Sequence, residues 1–266
     1  LDDWTGRVPA PWVLKPRSSA AAIGIKKLAG RDELWRALEA AGDQRSYSVL
    51  EQFVSGDVYH VDSIIWDGKV VFAIPFKYGR PPMEIAHQGG LFITRRLPDD
   101  SPEGAALLAL NRRLQEGLGL QRGVSHSEFI GPAGRSGEPV FLETSARVGG
   151  AFIVDTIEAA TGLNLWEEWA KIETVGQSVE YTVPPHRDEY AGIVLSLDLV
   201  TVPKYRVEET VAGETELERV LARYGEHPLT QFAFVPYAWK YLVFERRPLQ
   251  GARGSFPERF KALLFR

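Results

Sequence analysis

Two glutamates, Glu128 and Glu143, have the spacing of facing residues on a β-hairpin. The runs Val124–Ile130 and Pro139–Ser145 are apolar and β-branched enough to read as strands. Gly131 to Glu138 between them is dense in turn residues, and the two glutamates are symmetric about its middle. Facing side chains on one sheet face have Cβ atoms roughly 4.5–5.5 Å apart, and like charges there repel. Such a pair calls for a cation. Hard oxygen ligands favour Mg²⁺, which is commonly held by one or two carboxylates together with substrate phosphates. The competing reading is two surface glutamates on an exposed strand. Glu143, Ser145 and Arg147 alternate, so all three project to one side if the strand continues. Two oxygen ligands and a guanidinium on one face suit a metal-bound triphosphate.

Two earlier segments carry compatible chemistry. Val13-Leu14-Lys15-Pro16 reads as a strand end followed by small residues that include Ser18 and Ser19. A lysine there can point its ammonium at a phosphate, and small residues let backbone N–H groups approach phosphate oxygens. Glu51, Gln52, Phe53 and Val54 run into Ser55-Gly56-Asp57. Such an edge can offer backbone donors and acceptors to a purine, apolar side chains to its faces, and Asp57 to a ribose. Lys77 follows a strand that would border the nucleotide. His126 alternates with Glu128 but reads as a packed or surface histidine, and His87 as a solvated loop residue. His60 and Asp62 are expected to face solvent or a neighbouring strand.

The elements that must position these groups alternate between strands and helices. Strands are expected at Pro11–Pro16, Ile23–Lys27, Tyr47–Val54, Val58–Trp66, Lys69–Phe76 and Leu91–Arg96. Asp67-Gly68 marks a hairpin turn. Helical spacing covers Arg31–Ala41, with Leu34, Trp35 and Leu38 on one face, and Pro102–Leu118, closed by Gly119. Lys77–Gly90 lacks a period and reads as a loop over a site. Ile153–Thr161 is a helix stopped by Gly162, and Asn164 caps another. Val183–Glu189 reads as a linker. Beyond it, strands are expected at Tyr190–Val202 and Lys240–Arg247, and helices at Glu214–Tyr224 and Phe256–Phe265. Phe232, Phe234, Tyr237, Trp239 and Tyr241 read as the core of that last module. The class is α+β with mostly antiparallel sheet.

Composition narrows the field. The 266 residues suffice for one large or two small domains. A net charge of −4 gives no electrostatic case for nucleic acid or an anionic membrane, and no apolar run approaches a membrane span. With no cysteine, thiolate nucleophiles, disulfides and Cys-type zinc sites are excluded. A cytoplasmic, reducing location fits. The only methionine is Met83, so the chain reads as a fragment of a longer protein.

Lys15 with its small-residue loop, the Glu51–Asp57 segment and the glutamate hairpin with Arg147 occur in an order that resembles the ATP-grasp superfamily over roughly residues 1–175. The resemblance implies two α+β subdomains whose antiparallel sheets grip ATP, here 1–55 as the lid and 56–178 as the catalytic subdomain. A C-terminal α/β module would occupy 179–266. It implies that Lys15, Ser18, Ser19 and Lys77 reach phosphates, Glu51–Val54 line adenine and Asp57 binds ribose. Glu128, Glu143 and Ser145 would hold Mg²⁺, or Mn²⁺, and Arg147 and Lys15 would support transfer. Ser145 stands where the family usually has asparagine, the phosphate loop lacks its usual glycines, and the amino-terminal domain that usually precedes the lid is absent. The run Val148–Phe152 has no acid of the kind biotin-carboxylase-like members use on bicarbonate. The stretch from Ala146 to Leu165 is similar to ligases that join a carboxylate to an amine. The expected function is therefore an ATP- and Mg²⁺-dependent carboxylate–amine ligase working through an acyl phosphate on small-molecule substrates. A homodimer is compatible with it. The alternative is a degenerate nucleotide-binding or interaction module, and a purine-biosynthesis ligation is a third reading.

Overall fold

The computed structural model describes residues 1–18, 22, 24–88, 91–131, 138–174, 180–197, 239–243 and 247–248. A short helix α1 (Asp2–Arg7) leads into a three-stranded antiparallel sheet of β1 (Trp12–Pro16), β2 (Lys26–Leu28) and β3 (Ser48–Gln52), in the order β2-β1-β3. Helix α2 (Arg31–Ala41) covers it. Trp12, Leu14 and Leu28 from the sheet and Leu34 and Ala37 from α2 form a small core. Trp35, expected on the apolar face, is largely exposed. Trp4, Val8, Leu38 and Leu50 pack against this core.

The larger sheet has seven antiparallel strands in the order β11-β10-β6-β5-β4-β7-β8. These are β4 (Asp57–Trp66), β5 (Lys69–Tyr78), β6 (Phe92–Arg96), β7 (Gly123–Gly131), β8 (Val140–Ser145), β10 (Gly192–Leu197) and β11 (Trp239–Val243). The two short strands β9 (Glu189–Tyr190) and β12 (Arg247–Pro248) pair separately. The β4–β5 hairpin turns at Asp67 and Gly68, both with positive φ, as a two-residue turn demands. Helix α3 (Pro82–Gln88) occupies part of the stretch that has no period in the sequence, and seven residues are too few to show one. The large sheet draws β10 and β11 from beyond residue 179, where a separate module was expected. The expected helices at 214–224 and 256–265, and Phe232, Phe234 and Tyr237, lie outside the described residues.

Each face of this sheet is buried by different helices. Helix α4 (Pro102–Leu118) covers the face that carries Tyr59, Val61 and Phe129, which pack with Leu107. Ser101 caps it by accepting from the Gly104 N–H, and Gly119 ends it at φ 72°. The opposite face carries Ile64, Phe72, Ile74 and Phe76, packed against α5 (Ile153–Thr161) and α6 (Leu165–Thr174). Asn164 caps α6 by accepting from the N–H groups of Trp166 and Glu167. Side-chain alternation along β4 and β7 thus assigns every functional group to one face or the other. No helix among the described residues is long and apolar enough to cross a membrane.

Candidate functional site

Register decides what meets in the cleft between the two sheets. Glu128 of β7 lies directly opposite Glu143 of β8, and His126 opposite Ser145. Beyond that point the ladder slips by one residue, since Phe129 pairs with Phe141, and Leu142 turns into the cleft wall. The cleft has a volume of about 750 Å³. Lys15, Glu51, Gln52, Phe53, Val54, Glu128, Glu143, Ser145 and Arg147 all line it. Val58, Ile130 and Leu142 add apolar surface at the Phe53–Val54 end, and Met83, Ile85, Phe152 and Trp166 line it elsewhere.

Lys15 joins the two halves. Its ammonium is 2.9 Å from Glu51 and 3.4 Å from Glu143, and it donates to the Leu142 carbonyl. Arg147 lies just past the end of β8 and donates to the Val148 carbonyl. The loop after it holds Ala151 and Phe152 at positive φ, an uncommon conformation for residues with a Cβ.

Not every expected residue reaches the cleft. Lys77 and Asp57 pair with each other at 2.6 Å on the α4 face of the sheet. There the Lys77 ammonium is also 3.7 Å from Glu103 and 5.1 Å from the centre of the Tyr59 ring. Burial first, then the Glu103 hydrogen bond, pushes the Tyr59 hydroxyl up to about 12. The alternation of β4 and β5 puts Asp57 and Lys77 on this face, so as placed neither lines the cleft. Ser18 is exposed and away from the lining, and Ser19 lies outside the described residues.

A buried polar chain underlies the glutamates, and of the two placements expected for His60 and Asp62, solvent or a neighbouring strand, the structure shows the neighbouring strand. Both are fully buried. His60 contacts Asp62 Oδ2 through Nδ1 at 2.7 Å and the Thr94 hydroxyl through Nε2 at 2.8 Å. Its ring stacks on Phe76. The other Asp62 oxygen accepts from His126 Nδ1 at 2.9 Å. His126 Nε2 then lies 3.5 Å from Glu128 Oε1, which also accepts from the Tyr78 hydroxyl at 2.7 Å.

Electrostatics sort the charges along this chain. Burial pushes the His60 pKa down and wins, leaving a neutral ring. Burial also opposes a charged His126, but the Asp62 charge, the Asp62 hydrogen bond and Glu128 outweigh it and raise it from 6.5 to about 10. Asp62 and Glu128 are both driven below the usual carboxylate range. Burial acts against this, but the charge and hydrogen bond of His126 prevail in each case. Buried charges persist only when paired in this way. The sequence carried a faint sign of the chain. The alternation His60, Asp62 on β4 and His126, Glu128 on β7 puts four titratable groups on one face of paired strands.

Two carboxylates thus face each other on paired strands, with Lys15 and Arg147 on the same lining and apolar side chains at the Phe53–Val54 end. The chain has the ATP-grasp fold. No family model matches it. It is 26% identical over 182 residues to an L-arginine-specific L-amino acid ligase of Bacillus subtilis, covering 66% of this chain and 43% of that protein. A 53-residue stretch is 38% identical to the D-alanine–D-alanine ligase of Ruthia magnifica, 20% of this chain and 18% of that one. Among solved structures, the L-amino acid ligase of Bacillus licheniformis superposes with a TM-score of 0.56 at 19% identity, over 97% of this chain and 62% of that one. N5-carboxyaminoimidazole ribonucleotide synthetase of Thermus thermophilus superposes with 0.53 at 16% identity, over 74% and 49%. The chain therefore resembles ATP-grasp ligases in sequence and fold, and spans less than two thirds of the length of these relatives.

Proposed function

We propose that this chain carries the nucleotide site of an ATP-dependent ligase that joins a small-molecule carboxylate to an amine. The observation that carries the reading is the pairing of Glu128 with Glu143 inside the cleft, with Lys15 and Arg147 on the same lining. The donor set fits Mg²⁺ or Mn²⁺, because it is all oxygen and includes two carboxylates. An internal cation, the Lys15 ammonium, already sits beside Glu143. Glu128, Glu143 and Ser145 would hold the metal, whose chemistry is to neutralise phosphate charge as it develops.

The chain's own residues divide the remaining tasks. Phe53 and Val54, with Val58, Ile130 and Leu142, offer an apolar slot to adenine, and the backbone at Glu51–Val54 offers hydrogen-bonding groups to its edge. Lys15 and Arg147 bind phosphate oxygens, and the Arg147 guanidinium stabilises charge during transfer. In the first step a substrate carboxylate oxygen bonds to the γ-phosphorus while the bond to ADP breaks, giving an acyl phosphate. In the second a neutral amine attacks the acyl carbon, phosphate leaves with the C–O bonding pair, and the amine loses a proton.

Ser145 is the observation that favours the second reading, a nucleotide-binding or interaction module without ligase activity, because one hydroxyl offers less to a cation than a carboxamide at the end of a longer side chain. Phosphate release from ATP, screened across amino acids and amines, separates the two. Release that Glu143→Gln abolishes while the fold is retained supports the ligase. Release unchanged in that variant, or none with any acceptor although ATP binds, refutes it.

A further inference from the structure

Glu128 is held in a way that facing carboxylates on a strand do not require. Its Oε1 takes the Tyr78 hydroxyl at 2.7 Å and stands 3.5 Å from His126 Nε2. Among the described residues, Oε2 is left over. His126 is not free to turn, because Asp62 Oδ1 fixes its Nδ1 at 2.9 Å. Asp62 is fixed in turn through Oδ2 by His60, and His60 by Thr94 and by stacking on Phe76. The loop carrying Arg147 also rests on this chain, because a Cβ at Gly149 would stand 2.9 Å from Asp62 Oδ1 and 3.0 Å from His126 Nδ1.

We propose that Tyr78 and the Asp62–His126 pair are positioning groups that lock Glu128 with one oxygen committed to the protein, so that it serves the cation through Oε2 alone. This rests on the nucleotide-site reading above. A carboxylate free to rotate could bind in two-oxygen fashion or swing towards Lys15, with a loss of rotamer entropy on metal binding. The Tyr78–His126 clamp sets the rotamer beforehand. It also leaves room beside a single oxygen for phosphate oxygens, as a small cation with strict octahedral geometry requires. Partners of this kind, one shell out from a metal, are typically worth 10–100-fold in metal affinity.

The test is Mn²⁺ uptake in the presence of ADP, read from the paramagnetic resonance of free Mn²⁺, with ADP affinity measured separately in EDTA. Tyr78→Phe removes one hydroxyl and nothing else. Asp62→Asn releases His126. In each, the Mn²⁺ affinity is expected to fall at least about tenfold further than the ADP affinity. Glu128→Gln is expected to fall at least as far. Tyr78→Phe and Asp62→Asn binding Mn²⁺ like the wild type, while Glu128→Gln does not, overturns the positioning role and leaves the nucleotide site standing. Should Asp62→Asn not fold, Tyr78→Phe alone decides. A wild-type protein that takes up neither ADP nor Mn²⁺ overturns the nucleotide-site reading, and this proposal with it.

Discussion

Gly149→Ala is the sharpest perturbation of the buried chain that does not touch a charged group. The new Cβ would stand 2.8 Å from Ile153 Cγ2, 2.9 Å from Asp62 Oδ1 and 3.0 Å from His126 Nδ1. None of the three can yield easily. Ile153 opens α5 in the core, and the other two atoms are the partners of the buried 2.9 Å hydrogen bond. Overpacking alone costs about 1–3 kcal/mol, and parting a buried ion pair about 3–5 kcal/mol. The pair would be spread rather than broken, so a loss of ~2–4 kcal/mol is expected. Gly150 is the control, because a Cβ there meets nothing within 4 Å. Gly150→Ala should stay within about 0.5 kcal/mol of the parent. Urea unfolding of the three proteins, compared at constant slope, gives the differences directly. Equal stability of Gly149→Ala and Gly150→Ala would refute the claim that the Arg147 loop is seated on Asp62 and His126.

Three further outcomes are expected. His126 is raised in the folded state from 6.5 to about 10, so its contribution is fully present below about pH 6.5 and lost as pH rises towards 10. The urea midpoint of the wild type should therefore drop between pH 7 and pH 10 more steeply than that of Asp62→Asn, and parallel profiles would contradict the assignment. Lys77→Met should leave ADP affinity within twofold, since its ammonium pairs with Asp57 on the far face of the sheet; a tenfold loss by calorimetry would return Lys77 to the cleft. Asn164→Ala should destabilise by about 1 kcal/mol in thermal or urea unfolding through loss of the α6 cap, and no change would refute the capping role.

The parts of the site written by local pattern were legible in the sequence. The Glu128–Glu143 register follows from turn residues placed evenly between two apolar runs, and the structure pairs those residues. Helix α4 shows in advance because its Ser101 cap, its apolar spacing and its Gly119 stop agree, whereas α2 and α5 show through apolar spacing and a closing glycine without a side-chain cap at the start. What long-range packing writes was hidden. The sequence leaves both solvent and a neighbouring strand open for His60 and Asp62, because a polar pair on a strand says nothing of the face it joins, and only the β4–β7 pairing buries them against His126. Asp57 and Lys77 failed to reach the cleft for the same reason. Alternation fixes that they share a face, but which face is set by α4. The one-residue slip after Glu128 leaves no mark in the sequence, yet it brings Leu142 to the cleft wall.

On the proposed function, the paired glutamates make this cleft a metal-dependent ATP site. Calorimetric titration of ATP at rising Mg²⁺, for the wild type and for Glu143→Gln, decides this. Wild-type affinity is expected to climb with Mg²⁺, and the variant's is not. Wild-type binding indifferent to Mg²⁺, or no binding at all, would contradict it.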